Sequence, residues 1–156
     1  MTQGEGACEL ISPFGGRLVD LVVDDDSRRA LLERADRVPS VSLSLRAQYD
    51  LEMLAVGAFS PLDRFMGLDD YESVMYEMHL RDGTLFPIPL ALPVREDALR
   101  GAPREVALTD ERGAVLALLE VEQMYTNDSL REMRAVLGGR DKAHPLVAEA
   151  AGWPSH

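Results

Sequence analysis

Residues 85–94 read Leu-Phe-Pro-Ile-Pro-Leu-Ala-Leu-Pro-Val, an apolar stretch interrupted by Pro87, Pro89 and Pro93. Proline holds φ near about −65° and has no N–H, so this stretch cannot run as a helix or lie in the middle of a sheet. All three prolines fall at odd positions, so in an extended chain their missing donors lie along the same edge. The other edge keeps its N–H groups. The spacing therefore predicts an extended segment at the rim of a sheet or at a barrel opening.

Two further segments have strand character. Residues 104–109 and 114–125 flank Asp110-Glu111-Arg112-Gly113, a loop whose closing glycine suits a hairpin. Val106 and Leu108 share one face of the first arm, and the apolar run 115–119 is expected to be buried on both faces. Residues 17–23 alternate imperfectly after Gly15-Gly16 and predict a short strand.

Helices are marked by their caps. Asp24-Asp25-Asp26-Ser27 opens a helix running to about Arg37, ahead of Pro39, and its acidic run suits the positive end of a helix dipole. That run is read as a solvated cap rather than a metal site. Ser44 caps a helix over 45–56, closed by Gly57. Its expected core face is Leu45, Tyr49, Met53 and Val56, broadened by Leu51 and Leu54. Asp69 with Glu72 looks like a capping box for a third helix, whose core face is Tyr71, Val74, Met75 and Met78. Asn127 or Asp128 caps a last helix over 129–137, with Leu130, Met133 and Leu137 on one side and Gly138-Gly139 ending it. Helices mixed with an antiparallel, proline-edged sheet make an α+β domain with a small barrel-like core, not a doubly wound fold.

At 156 residues the chain has room for one domain with a buried core. Sixteen basic against 27 acidic residues leave a formal charge of −11, and no dense Lys/Arg run exists, so nucleic acid is not an expected partner. The single cysteine, Cys8, rules out an intrachain disulfide and a cysteine-rich zinc site. It has no cationic neighbour to make its thiol reactive. Residues 1–6 lack the basic start and apolar stretch of a signal peptide, and no apolar run approaches the roughly 20 residues that span a bilayer. A cytoplasmic protein with no membrane partner is expected.

One ordered set of residues is specific enough to point to a family. Pro13 and Gly15-Gly16-Arg17-Leu18-Val19-Asp20-Leu21 come first, then Arg46, Asp50-Leu51-Glu52 and Leu54, then Gly57-Ala58-Phe59-Ser60-Pro61-Leu62. Phe65-Met66, Asp70-Tyr71, Asp82-Gly83-Thr84-Leu85 and Pro87-Ile88-Pro89 continue the order. Leu119-Glu120-Val121, Tyr125, Asp141, His144-Pro145 and Val147 complete it. Together they resemble the N-terminal, PUA-like domain of ATP sulfurylase (sulfate adenylyltransferase). The departures are Ala58 and Arg64 where that family usually has glycine, Ala47 for glutamine, Phe86 for tryptophan and Leu146 for glycine. If the position of Arg64 demands a positive φ, a side chain there costs about 1 kcal/mol.

The resemblance implies a full enzyme that joins ATP and sulfate into adenylyl sulfate and pyrophosphate. Its substrate contacts lie in a later domain, around Gln-x-Arg-Asn, His-x-x-His and Gly-Arg-Asp-His-Ala-Gly motifs. Gln3, Gln48 and Gln123 do not start the first motif, and His79, His144 and His156 do not form the second. Gly139-Arg140-Asp141-Lys142-Ala143 only superficially matches the third, and it falls where the family's N-terminal domain ends. Adenylyl transfer needs several cationic or amide donors converging on phosphate oxygens. This chain has a single lysine, Lys142, and no G-x-x-x-x-G-K-[ST] loop. No catalytic, cofactor-binding or metal-binding residue is therefore assigned, and the chain alone is expected not to catalyse.

Several residues admit a sharp reading and a plain one. Arg46, Asp50 and Glu52 could form a polar active-site cluster, but the i, i+4 spacing of Arg46 and Asp50 is that of an ordinary helical ion pair. Arg46 could also face a partner domain. His144 suits a capping or interdomain role, and His79 suits a helix C-terminus. Phe59, Phe65 and Phe86 could stack bases but fit core or interface packing better. The candidate domain-interface residues are Arg46, Phe59, Phe65, Leu85, Phe86 and His144. The expected organisation is a flexible tail over 1–9, a domain over 10–150 and a C-terminal tail over 151–156. Expected partners are a separate sulfurylase catalytic domain or a second copy. The alternative is a stand-alone PUA-like module for a small ligand or RNA, or a small enzyme with other chemistry.

Overall fold

The computed structural model describes residues 10–139 and 141–153, and the expected tail at 1–9, with Cys8, lies outside them, as do residues 154–156. Helix starts follow their caps. Asp24 accepts from the Ser27 N–H at 2.7 Å and opens α1 (Asp25–Ala35). Ser44 accepts from Ala47 N–H at 3.3 Å and opens α2 (Leu45–Ala55). Asp128 accepts from Leu130 and Arg131 N–H at 3.1 Å each and opens α4 (Ser129–Leu137), which Gly138 closes at φ 71°. These bonds satisfy helix N–H groups that would otherwise have no partner.

The third helix, α3 (Leu68–Glu77), starts by another route. Gly67 is its N-cap, and the side chain of Gln123 accepts from the Leu68 N–H at 2.9 Å. The expected Asp69–Glu72 capping box does not form. Glu72 pairs with Arg131 at 2.9 Å instead. Met78, expected in the core, is the exposed left-handed C-cap of α3, at φ 57°.

The sheet has the order β1–β2–β3, with β1 at Ser40–Ser42, β2 at Glu105–Thr109 and β3 at Val115–Glu120. β2 and β3 are antiparallel, with Val106 opposite Leu119 and Leu108 opposite Ala117. Their loop is organised by Asp110, whose carboxylate accepts from Arg112 and Ala114 N–H at 2.9 and 2.8 Å. β1 pairs parallel to β2, Val41 opposite Leu108. Among the described residues the sheet is open, with β1 and β3 at its edges. The double burial expected of 115–119 is not realised: Leu116 is exposed, and Val115, Ala117, Leu118 and Leu119 are half-buried. A last helix, α5 (Pro145–Ala150), packs on α4.

Two expected strands join no ladder. In 17–23, Val19 N–H donates to Ser60 Oγ at 3.0 Å and Leu21 N–H to the Ala55 carbonyl at 2.9 Å. In the proline segment, Phe86 N–H donates to the Met78 carbonyl at 2.8 Å and Leu90 N–H to Met66 Sδ at 3.3 Å. Both donors sit at even positions, as the parity of the prolines requires. With alternate donors missing, pairing goes no further than one bridge between His79 and Leu85.

Three apolar clusters fill the interior. One gathers Leu54, Leu62, Met66, Tyr71, Val74, Met75, Leu80, Phe86 and Leu90. The second joins Val41, Leu43, Ala47, Val94, Val106 and Leu108, and the third is Met133, Val147 and Ala150. The face of α2 differs from expectation. Leu45, Tyr49, Met53 and Val56 are 59%, 56%, 44% and 59% exposed, while Ala47 and Leu54 are 6% and 2% exposed. On α4, Met133 is buried, but Leu130 and Leu137 are exposed at its margins. Arg64 is not among the residues with positive φ, so the strain considered for it does not arise. Its guanidinium grips both carboxylate oxygens of Glu122 at 2.7 Å.

Gly57 and Gly83 separate two glycine effects. Both have positive φ, +80° and +87°, but a Cβ on Gly57 would lie 2.1 Å from the Val19 carbonyl oxygen, whereas one on Gly83 would meet nothing within 4 Å. Urea unfolding of Gly83→Ala is expected to show a loss of about 1 kcal/mol, from backbone conformation alone. Gly57→Ala should lose clearly more, because backbone has to move; equal losses would refute the close contact.

Candidate functional site

Segment 17–34, the inner side of α2, residues 63–67 and 91–94, and β3 with its continuation to 125 bound a cleft of about 1020 Å³. Its walls are mainly apolar, including Leu31, Leu51, Phe65, Leu92 and Leu118. Charged pairs stand around it: Arg34 with Glu105, and Arg64 with Asp63 and Glu122. The hydrogen bonds that Arg64 donates to Asp63, then those to Glu122, raise its pKa further. Arg17 and Arg28 also line the cleft and make no ion pair among the described residues. No His, Ser, Thr, Cys or Lys lines it among those residues. Nor do His, Cys, Asp and Glu side chains gather there in a metal-binding group of three. This arrangement suits apolar packing within a charged rim.

A buried polar cluster adjoins the cleft through Asn127 and Tyr125, which line it. Tyr71 Oη lies 2.7 Å from Asn127 Oδ1 and 2.8 Å from Glu132 Oε2, so its single proton serves one acceptor at a time. Asn127 Nδ2 donates to Glu132 Oε2 at 3.3 Å. Burial, then the Glu132 charge, pushes the Tyr71 hydroxyl well above the usual phenol range. The same two causes push Tyr125 up to about 12. Tyr125 donates to the Met66 carbonyl at 2.9 Å, and its ring centroid is 5.5 Å from that of Tyr71. Outside the cluster, Arg131 bonds Tyr76 at 2.7 Å and Glu72 at 2.9 Å. These contacts fix α4 to α3.

The six candidate interface residues separate. Arg46 pairs with Asp50 at 3.8 Å, reaches Glu149 at 3.7 Å and places its guanidinium carbon 4.9 Å from the centroid of the Trp153 ring. Burial raises the Asp50 pKa, the Arg46 charge opposes that rise, and Glu149 adds to it. Glu52 belongs to no ion pair with Arg46; it lines the cleft. His144 is the N-cap of α5, its Nδ1 accepting from the Leu146 N–H at 3.2 Å. Phe86 is a core residue, with its ring centroid 6.4 Å from that of Phe59 in an edge-on contact, and so is not a surface group. Phe59 is half-buried against the same core, Phe65 half-buried at the cleft, and Leu85 exposed. His79 lies just past α3, with Nδ1 2.6 Å from the Glu77 carbonyl. The cleft, the polar cluster and the Trp153 contact were missed from the sequence. Only the apolar content of 115–119 hinted at the first.

The sequence pattern of the PUA-like domain family matches residues 11–154. The chain belongs to that family. This PUA-like domain is 41% identical over 150 residues to the sulfate adenylyltransferase of Acaryochloris marina, covering 94% of this chain and 38% of that relative. It is 38% identical over 141 residues to the sulfate adenylyltransferase of Synechococcus sp. strain JA-3-3Ab, covering 89% and 36%. The solved structure "Hexameric APS kinase from Thiobacillus denitrificans" superimposes with a TM-score of 0.70 at 37% identity, covering 77% of this chain and 24% of that one. The PUA-like domain thus spans little over a third of the length of these sulfate adenylyltransferases and corresponds to their N-terminal part. No helix among the described residues is long and apolar enough to cross a membrane.

Tyr71→Phe keeps the ring and removes the hydroxyl that faces Asn127 and Glu132. Leaving a buried carboxylate short of a donor costs about 1–3 kcal/mol, to be read from urea unfolding at neutral pH; no change would show that the cluster is not bracing α4. The pH dependence has a definite sign. Tyr125 has a raised pKa in the folded state, so its contribution is complete below the ordinary 10.0 and is lost as pH rises from there through about 12. The unfolding midpoint should fall across that window, and less steeply in Tyr125→Phe.

Proposed function

We propose that this domain is the N-terminal scaffold of a sulfate adenylyltransferase, acting in the adenylylation of sulfate by ATP to give adenylyl sulfate and pyrophosphate. The donors that handle phosphate belong to polypeptide beyond the domain. The observation that carries this reading is the extent of the match: 94% of this chain aligns at 41% identity, yet it accounts for only 38% of the relative. The chemistry of the cleft supports it. The apolar walls suit packing, and two of the four arginines around it, Arg34 and Arg64, are bonded to carboxylates. The role is structural and interactive: the domain docks against a nucleotidyltransferase part and helps to hold it in an assembly. The hexameric structural neighbour is consistent with such assembly. The working compartment of this reading is the cytoplasm, where ATP is made available to sulfate activation.

The test is a coupled assay. The chain is incubated with ATP, sulfate and a pyrophosphatase, and phosphate release is followed; no release above background is expected. The chain is also substituted for the matched region of the Acaryochloris marina enzyme, and this chimera is expected to turn over. Turnover by the isolated chain at the rate of a full enzyme would overturn the noncatalytic role. A folded but inactive chimera would overturn the scaffold role.

A further inference from the structure

α2 carries two apolar stripes, and the fold covers one of them. The Ala47 and Leu54 side faces the interior. The other side presents Leu45, Tyr49, Met53 and Val56, each between 44% and 59% exposed. At about 1.5 Å per residue the stripe runs roughly 16 Å along the helix. Leu18, 64% exposed, lies close to its far end, because a Cβ on Gly57 would come 3.0 Å from Leu18 Cδ1. A continuous exposed apolar strip of this kind, on a surface otherwise rich in carboxylates, marks an interaction site.

Two observations say what covers it. First, Arg46, next to Leu45, clamps the region around α5 onto the first turn of α2, with Glu149 at 3.7 Å and the Trp153 ring centroid at 4.9 Å. The backbone around Trp153 therefore lies at the near end of the stripe. In the relatives the polypeptide extends far past the aligned region, which is 38% of the Acaryochloris marina protein. Second, the chain has a formal charge of −11, so two copies laid face to face would repel, while a partner of different composition would not. Resting on the scaffold reading above, we infer that the stripe Leu45–Tyr49–Met53–Val56, extended by Leu18, is the seat for an apolar surface of the polypeptide that follows this domain in sulfate adenylyltransferases.

Hydroxyl-radical footprinting with mass spectrometry reads the stripe directly. Met53 and Met78 are both accessible in the domain, at 44% and 54%, with Met53 on α2 and Met78 at the C-cap of α3, so Met78 serves as the internal reference. In the isolated chain both should be oxidised readily. In the chimera with the Acaryochloris marina enzyme, Met53 oxidation should fall several-fold relative to Met78. The double variant Tyr49→Glu/Met53→Glu should leave the melting temperature of the isolated chain unchanged, since both side chains face solvent there, and should separate one cooperative chimera transition into two. Equal oxidation of Met53 in the isolated chain and in an active chimera would sink the inference while leaving the scaffold reading intact. Protection of Met53 in the isolated chain, together with dimeric sedimentation, would assign the stripe to a second copy and overturn it. Protection in an inactive chimera would uphold the docking face and count against the scaffold role.

Discussion

The Ser60 hydroxyl ties the extended segment 17–23 to the turn at 57–60, a junction that the rest of the fold is arranged around. It accepts from the Val19 N–H at 3.0 Å and donates to the Gly57 carbonyl at 2.6 Å. Ser60 is buried, so both contacts replace water that the hydroxyl cannot reach. Gly57 makes the approach feasible, because the Val19 carbonyl oxygen occupies space that any other side chain would need. On one side of this knot, Phe59 and Leu62 enter the first apolar cluster. On the other, the arm through Leu21 continues into α1, which packs on β3. The cleft is the space left between that arm and the proline segment. Its position follows from one glycine and one serine.

What could be read from sequence divides by distance along the chain. The caps of α1, α2 and α4 were legible because Asp24, Ser44 and Asp128 bond to N–H groups two or three residues away. The β2–β3 hairpin was legible for the same reason, with Asp110 and Gly113 shaping its own loop. The start of α3 was not, since its donor is satisfied by Gln123, 55 residues on. β1 is three residues long and offers no period to detect. Helix α2 failed in a more instructive way. Its sequence contains two apolar stripes, and periodicity identifies both without saying which the fold will cover.

The candidate site shows the same division. The Arg46–Asp50 pair was readable as i, i+4, but Glu149 and Trp153, which give Arg46 its position, are far along the chain. A capping role for His144 was among the readings of the sequence, but the helix it caps, α5, was not placed there. Glu132 is the opposite case: a carboxylate buried to 7% exposure, which no local pattern announces. It is tolerable only because Tyr71 and Asn127 supply hydrogen bonds. Phe59, Phe65 and Phe86 looked equivalent as sequence, yet the fold sends Phe86 inward and leaves Phe65 at the cleft.

An open sheet with two edges is a hazard for an independent domain, because unpaired N–H and C=O groups invite another strand. β1 limits its own edge by being only Ser40–Ser42. β3 keeps its outer edge beside the cleft, where α1 packs against it. The extended segment 85–94 is disarmed by Pro87, Pro89 and Pro93, which remove most of the donors along one of its edges. Strand addition is thus discouraged at both sheet edges and along segment 85–94. Against that background the uncharged strip on α2 stands apart. It is helical, so it presents side chains rather than backbone, and it can receive an apolar partner without exposing the sheet to aggregation.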